Sequence, residues 1–179
     1  MPDDRGNAET FAALAMPLLA PLYNFAHWLA GNRDEAEDLV QETYAKALKG
    51  FSSFQQGTNF RAWMYRILRN AFLNSRTGLK TGATVPLDVE GNEDVLPPVG
   101  ETPESVLLQR SDWELVQQGL DQLPVPYREV LLLCEVEETS YRDIAGTLGV
   151  PIGTVMSRLS RARQALRTVV LKMQAGPKV

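Results

Sequence analysis

The segment Ser140 to Arg167, SYRDIAGTLGVPIGTVMSRLSRARQALR, restricts the fold more than any other stretch of the chain. Ser140 is a good helix N-cap, and Tyr141, Ile144, Ala145 and Leu148 follow it at helical spacing. Gly149 tolerates the left-handed backbone that ends a helix. Pro151 suits the first turn of a second helix, where its missing N–H costs nothing. In that helix Ile152, Val155, Leu159, Ala162 and Leu166 align as a buried stripe, and Thr154, Met156, Ser157, Arg158, Arg161 and Arg163 lie opposite. Two helices, a glycine turn, and hydroxyls and arginines outward on the second helix describe a helix-turn-helix, its second helix suited to a DNA major groove. A helical hairpin with a solvated basic face satisfies the same spacing.

Charge placement favours the first reading. Residues 139–179 hold seven Lys/Arg and one acid, a net of +6; the whole chain is −4, which leaves −10 on residues 1–138. Positive charge gathered at one end of an acidic chain is what a phosphate-binding surface requires. Helix formers dominate and no alternating Val/Ile/Thr run appears, so the expected class is all-α. Length allows one or two small domains. The lone cysteine, Cys134, excludes an internal disulfide and a cysteine-cluster metal site, and in LLLCEV it reads as a small buried hydrophobe. The only histidine, His27, sits among apolar neighbours and reads as packing. With no nucleophile–base pair and no phosphate loop, no catalytic residue, metal or cofactor is expected, and the chain is not expected to be an enzyme. Residues 10–32 carry no formal charge. Asn24, His27 and two prolines interrupt that run, and acids precede it, so a buried helix pair in a cytoplasmic protein is expected rather than a membrane insertion.

Met1 to Asn7 is expected to fray. Ala8 to Leu29 reads as two helices broken at Pro17 and Pro21, ended by Gly31-Asn32. Asp34, with Glu37 three residues on, is a candidate cap for the next helix. There Ala36, Val40, Thr43, Tyr44, Ala47 and Phe51 face inward, and Glu35, Asp38, Gln41, Glu42 and Lys46 outward. A loop, FSSFQQGTN, leads to a helix over Phe60 to Arg76, capped by Thr58 or Asn59. Its expected inner stripe is Phe60, Met64, Ile67, Leu68 and Ala71. Its outer surface carries Arg61, Trp63, Tyr65, Arg66, Arg69, Asn70, Asn74 and Arg76. Aromatic rings among arginines and asparagines suit single-stranded nucleic acid, where bases stack on rings and phosphates meet guanidinium groups. The same residues also fit a packed core with a solvated rim. Residues 77–103 are rich in Gly, Pro and acids and read as a flexible acidic linker, too long for a connection within one compact domain. A helix from Thr102 or Ser105 to about Gln122, a turn at Leu123-Pro124-Val125-Pro126, and a helix from Tyr127 to Glu135 then precede the helix-turn-helix. The tail after Met173 reads as disordered.

Two nucleic-acid-facing segments on separate small helical domains resemble the bacterial sigma-70 family, specifically its two-domain extracytoplasmic-function sigma factors. The resemblance lies in GNRDEAEDLVQETYAKAL at 31–48, GTNFRAWMYRILRNAFLN at 57–74, LDQLPVPYREVLLL at 120–133, and SYRDIAGTLGVPIGTVMSRLSRARQAL at 140–166. It implies a region 2-like domain over 8–77, a linker over 78–104 and a region 4-like domain over 105–173. It implies a transcription initiation factor that binds core RNA polymerase and directs it to promoter DNA, melting that DNA.

Residue by residue, Asp38, Leu39, Gln41 and Glu42 would dock on the polymerase. Trp63, Arg66, Asn70 and Asn74 would read the −10 element on the non-template strand, with the 54–59 loop as a pocket for a flipped base. Thr154, Ser157, Arg158 and Arg161 would contact the −35 element. The acidic linker would thread the RNA channel. Many relatives carry Lys or Arg where this chain has Met156, so its −35 preference is expected to be weakened or altered. The absence of added domains favours the minimal form. Members are often held inactive by an anti-sigma factor, a partner class the sequence itself does not identify. A free-standing helical DNA-binding regulator would explain the C-terminal half equally well, but it leaves the Trp63 surface without a task.

Overall fold

The computed structural model describes residues 4–77 and 113–176. The described residues are helical throughout, without a strand, and form two helical units. The first holds α1 (Asp4–Ala15), a 3₁₀ turn at Met16–Leu18, α2 (Leu19–Ala30), α3 (Arg33–Gly50), a 3₁₀ turn at Phe51–Ser53, and α4 (Phe60–Thr77). The second holds α5 (Trp113–Asp121), α6 (Val125–Leu131) running into a π turn at Leu132–Val136, α7 (Tyr141–Leu148) and α8 (Ile152–Ala175). The acidic linker and the expected helix start at Thr102 or Ser105 lie outside the described residues.

Local chemistry accounts for most helix ends. Gly31 closes α2 at φ 79° and donates its N–H to the His27 carbonyl at 2.8 Å. Asn32, not Asp34, caps α3: its Oδ1 accepts the Glu35 N–H at 2.8 Å while its Nδ2 donates to the Glu35 carboxylate at 3.2 Å. Asp34 and Glu35 then lie in the first turn, where the helix dipole favours acids. Asn59 caps α4 by accepting the Ala62 N–H at 3.0 Å. Pro124 and Pro126 do not make a separate turn but open α6, the Pro124 carbonyl accepting the N–H groups of Tyr127 and Arg128. Pro21 likewise sits in the first turn of α2 rather than breaking it, and α1 begins at Asp4, inside the segment expected to fray. Ser140 Oγ accepts the Asp143 N–H at 3.1 Å, and Gly149 ends α7 at φ 67°. Pro151 precedes the first turn of α8 and occupies its N-cap, and α8 continues to Ala175, past the expected end at Met173.

The first unit packs Leu22, Phe25, Ala26 and Leu29 of α2 on Ala36, Leu39, Val40 and Ala47 of α3 and Met64, Leu68, Ala71 and Phe72 of α4. Phe11, Phe51, Phe54, Phe60 and Trp63 interlock beside that core, with ring centroids 4.9–6.1 Å apart. The Tyr44 hydroxyl ties α3 to α1 by donating to the Ala15 carbonyl at 2.6 Å. In the second unit Val116, Leu120, Val130, Leu133, Ile144, Val155, Leu159 and Ala162 are buried. Gly119 lets α5 approach α8 closely: a Cβ there would stand 3.1 Å from Leu166 Cδ1 and 3.2 Å from Val170 Cγ2. The two cores are continuous, because α4 also packs against α7.

Candidate nucleic-acid interface

Three candidate surfaces follow from these helices. On α3, Asp38, Gln41 and Glu42 are exposed, and Glu42 pairs with Lys46 at 2.5 Å. Leu39 is not part of that surface. It is 2% exposed and belongs to the α2–α3 core, because it falls on the same arc as Ala36, Val40 and Thr43. Its role is to seat the helix that carries the acids.

On α4, the spacing of Trp63, Arg66, Asn70 and Asn74 puts them along one face. Arg66 and Asn70 are exposed, and Trp63 and Asn74 partly buried. Trp63 is held by Phe54, 4.9 Å away between centroids, and Phe60, at 5.6 Å. Phe54 lies in the loop before α4, so the loop and the helix share one aromatic wall. The expected outer surface of α4 is only partly outer. Tyr65 is 2% exposed, and burial with a hydrogen bond to Glu137 pushes its phenol pKa up. Arg61, Tyr65 and Arg69 form a second line that meets the C-terminal unit. Tyr65 Oη donates to Glu137 Oε2 at 2.6 Å, and Arg61 Nη2 donates to the same oxygen at 2.9 Å. Arg69 Nε lies 3.0 Å from both oxygens of Glu129. Arg66 itself donates to the Gly146 carbonyl, and Asn59 Nδ2 to Asp143 Oδ1 at 3.3 Å.

On α8, Ser157 is exposed and Thr154 and Arg161 partly so. Arg158 departs from the expected outward face. It is 9% exposed, its Nη1 has no hydrogen-bond partner among the described residues, and its charge favours the ionised form of Glu129 against the effect of burial. Arg163 is partly buried and paired with Glu135 at 2.5 Å, which removes it from the free basic face as well. Ile152, expected in the buried stripe, is 50% exposed, and Met156 is 53% exposed.

The sequence reading missed Glu129, Glu137 and Arg128. Glu129 is fully buried, and burial raises its pKa against the charges of Arg69, Arg158 and Arg128. Arg128 donates to the carbonyls of Leu120, Asp121 and Leu123 at 2.9, 3.1 and 3.2 Å, and to that of Leu29 at 2.7 Å. A signal was present: an Arg-Glu pair inside the apolar run VPYREVLLL is out of place unless both charges are satisfied internally. Among the described residues there is no acid–histidine–cysteine cluster that would hold a metal, and no helix long and apolar enough to cross a membrane.

The candidate surfaces lie on α3, α4 and α8 of an all-helical protein, and comparison with known proteins gives its class. Residues 14–80 match the family described as Sigma-70 region 2, and residues 113–166 match Sigma-70, region 4. The chain is 37% identical over 153 residues to the ECF RNA polymerase sigma factor SigE of Mycolicibacterium smegmatis, covering 84% of this chain and 58% of that one. It is 30% identical over 168 residues to the ECF RNA polymerase sigma factor SigW of Bacillus subtilis, covering 91% of this chain and 90% of that one. Among solved structures it is similar to the sigma factor RpoE of Bartonella quintana, crystallised with the anti-sigma factor NepR. That likeness has a TM-score of 0.67 and 31% identity, over 90% of this chain and 97% of that one. The chain belongs to the ECF sigma factors of the sigma-70 family, which are transcription initiation factors and not enzymes.

Proposed function

We propose that this chain binds core RNA polymerase through the acidic face of α3 and delivers it to promoters read by α4 and α8. One observation carries the reading: a region 2 and a region 4 match occur in order on one chain, separated by an acidic segment. In this reading the units span residues 8–77 and 105–173. Asp38, Gln41 and Glu42 face the polymerase. Trp63, Arg66, Asn70 and Asn74 hold unpaired non-template bases, Trp63 by stacking and the asparagines through their amides. Thr154, Ser157 and Arg161 meet the −35 element, with Arg158 available to it once released from the interior. The acidic linker fits a channel built for nucleic acid. The action is cytoplasmic, where polymerase and DNA are. The likeness to RpoE supports an anti-sigma factor as a further partner.

Met156 gives the −35 contact its own character. Its thioether, 53% exposed, favours apolar contact with a thymine methyl over a phosphate or guanine contact. The test is transcription from paired templates with and without the −35 element. Arg161→Ala lowers output about tenfold on the first template, the effect of one lost base or phosphate contact. Output on the second is unchanged. An equal fall on both templates places Arg161 elsewhere.

A further inference from the structure

The start of α8 presents an uncharged edge to solvent. Ile152 is 50% exposed and Met156 53%, and Pro151, Gly153 and Ser157 are exposed beside them. No Lys, Arg, Asp or Glu occurs from Gly149 to Ser157. The buried residues Val155, Leu159 and Ala162 fix the rotation of the helix. At 3.6 residues per turn, Ile152 and Met156 then fall within about 40° of each other, and Gly153 and Ser157 continue round the outer side. The arginines of α8 come later. Arg158 is 9% exposed, Arg161 is partly buried, and Arg163 is paired with Glu135. Gly153 has no packing reason inside the protein, because a Cβ there would meet nothing within 4 Å. Glycine weakens a helix, and its use at such a place is to let backbone approach a ligand closely.

In a helix-turn-helix the N-terminal residues of the second helix meet base edges, while the first helix crosses the backbone. Phosphate contacts position the protein, and base contacts carry sequence. The major groove offers donors, acceptors and one apolar group, the C5-methyl of thymine. We propose that Ile152 and Met156 are the specificity-determining pair of α8 and read two thymine methyls in the −35 element, with Gly153 admitting the helix to the groove. This rests on the reading of α8 as the −35 helix. Residues four apart on a helix carry Cβ atoms about 5–6 Å apart. Base pairs step by about 3.4 Å, so the pair reaches thymines one or two steps from each other. The exposed Arg142 of α7 is left to the phosphates.

Holoenzyme assembled from the full chain and core RNA polymerase is given a promoter pool randomised through the −35 element. Transcribed templates are expected to be enriched there in thymines one or two steps apart. A selected promoter is then rebuilt with deoxyuridine for thymidine within the −35 element only. That change deletes methyl groups and keeps every hydrogen bond. Wild-type output is expected to fall about sixteenfold, about fourfold for each methyl, the worth of one buried methyl-sized group. Met156→Gln, which keeps the side-chain length, and Ile152→Ser should each lose one of the two effects and show a fall of about fourfold. The thymidine and deoxyuridine comparison on the wild type needs no variant to fold.

Output that requires the −35 element but is equal on the two templates overturns the proposal and leaves α8 as the −35 helix. A selection without thymines does the same. A methyl effect of full size in both variants moves the contact to other residues and also overturns it. Output indifferent to the −35 element altogether removes the reading of α8 on which the proposal rests.

Discussion

Arg128→Met is expected to lower the unfolding free energy by about 4 kcal/mol, in the range for breaking a buried charged network. Three of the four acceptors of the Arg128 guanidinium, the carbonyls of Leu120, Asp121 and Leu123, lie at or just past the C-terminal end of α5, and the fourth, that of Leu29, lies in the last turn of α2. Helix C-termini leave carbonyls without intrahelical partners and carry partial negative charge. One buried cation therefore caps two helices from two units. Methionine keeps the packing volume and removes every donor, leaving the carbonyls of Leu29, Asp121 and Leu123 to find others while that of Leu120 keeps the Leu123 N–H. Urea unfolding followed by far-ultraviolet circular dichroism checks the loss. A change below 1 kcal/mol would mean that water replaces the guanidinium at little cost.

Asp38→Lys combined with Glu42→Lys is expected to weaken binding to core RNA polymerase about 100-fold, close to 3 kcal/mol. Each side chain is exposed on the polar face of α3 while the opposite face is locked by Leu39, Val40, Thr43 and Ala47. Reversal places two cations against a surface that had favoured acids, and like charges juxtaposed across an interface are penalised in addition to the pair that is lost. The effect within the free protein is small, since it is confined to the exposed Glu42–Lys46 contact. A titration of labelled protein with core polymerase separates the cases. Unchanged affinity with unchanged thermal stability removes α3 from the docking surface.

How much was legible depended on whether a feature was local. Ser140, Gly149 and the apolar residues of α7 announce the helix-turn-helix, because caps and 3.6-residue periodicity are written into short stretches. Asn32 and Asp34 each precede an acid by three residues, and two overlapping capping boxes do not choose between themselves. The left-handed Gly31 decides, since it ends α2 immediately before Asn32.

Arg158 was legible in principle. It lies three residues after Val155 and four before Ala162, on the buried arc, and its charge disguised the periodicity. Leu39 was also on the buried arc of its helix, beside acids that drew it into the wrong surface. Ile152 escapes the stripe because it is the first residue of α8, ahead of the turn that packs on α7. Tyr65 and Arg69 belong to a different class. The buried arc of α4 is wider than one core requires, because a second unit packs beside the first. Partners more than fifty residues away, such as Glu129 and Glu137, leave no mark on the periodicity of α4 itself.

Promoter-directed initiation is checked by reconstituted transcription. Purified chain is combined with bacterial core RNA polymerase free of other sigma factors and a library of candidate promoters. Transcripts are expected that require the chain and whose aligned start sites reveal a −10 and a −35 element together. Duplex DNA binding by the chain alone, with neither polymerase binding nor transcripts, would contradict it and make the protein a free-standing regulator.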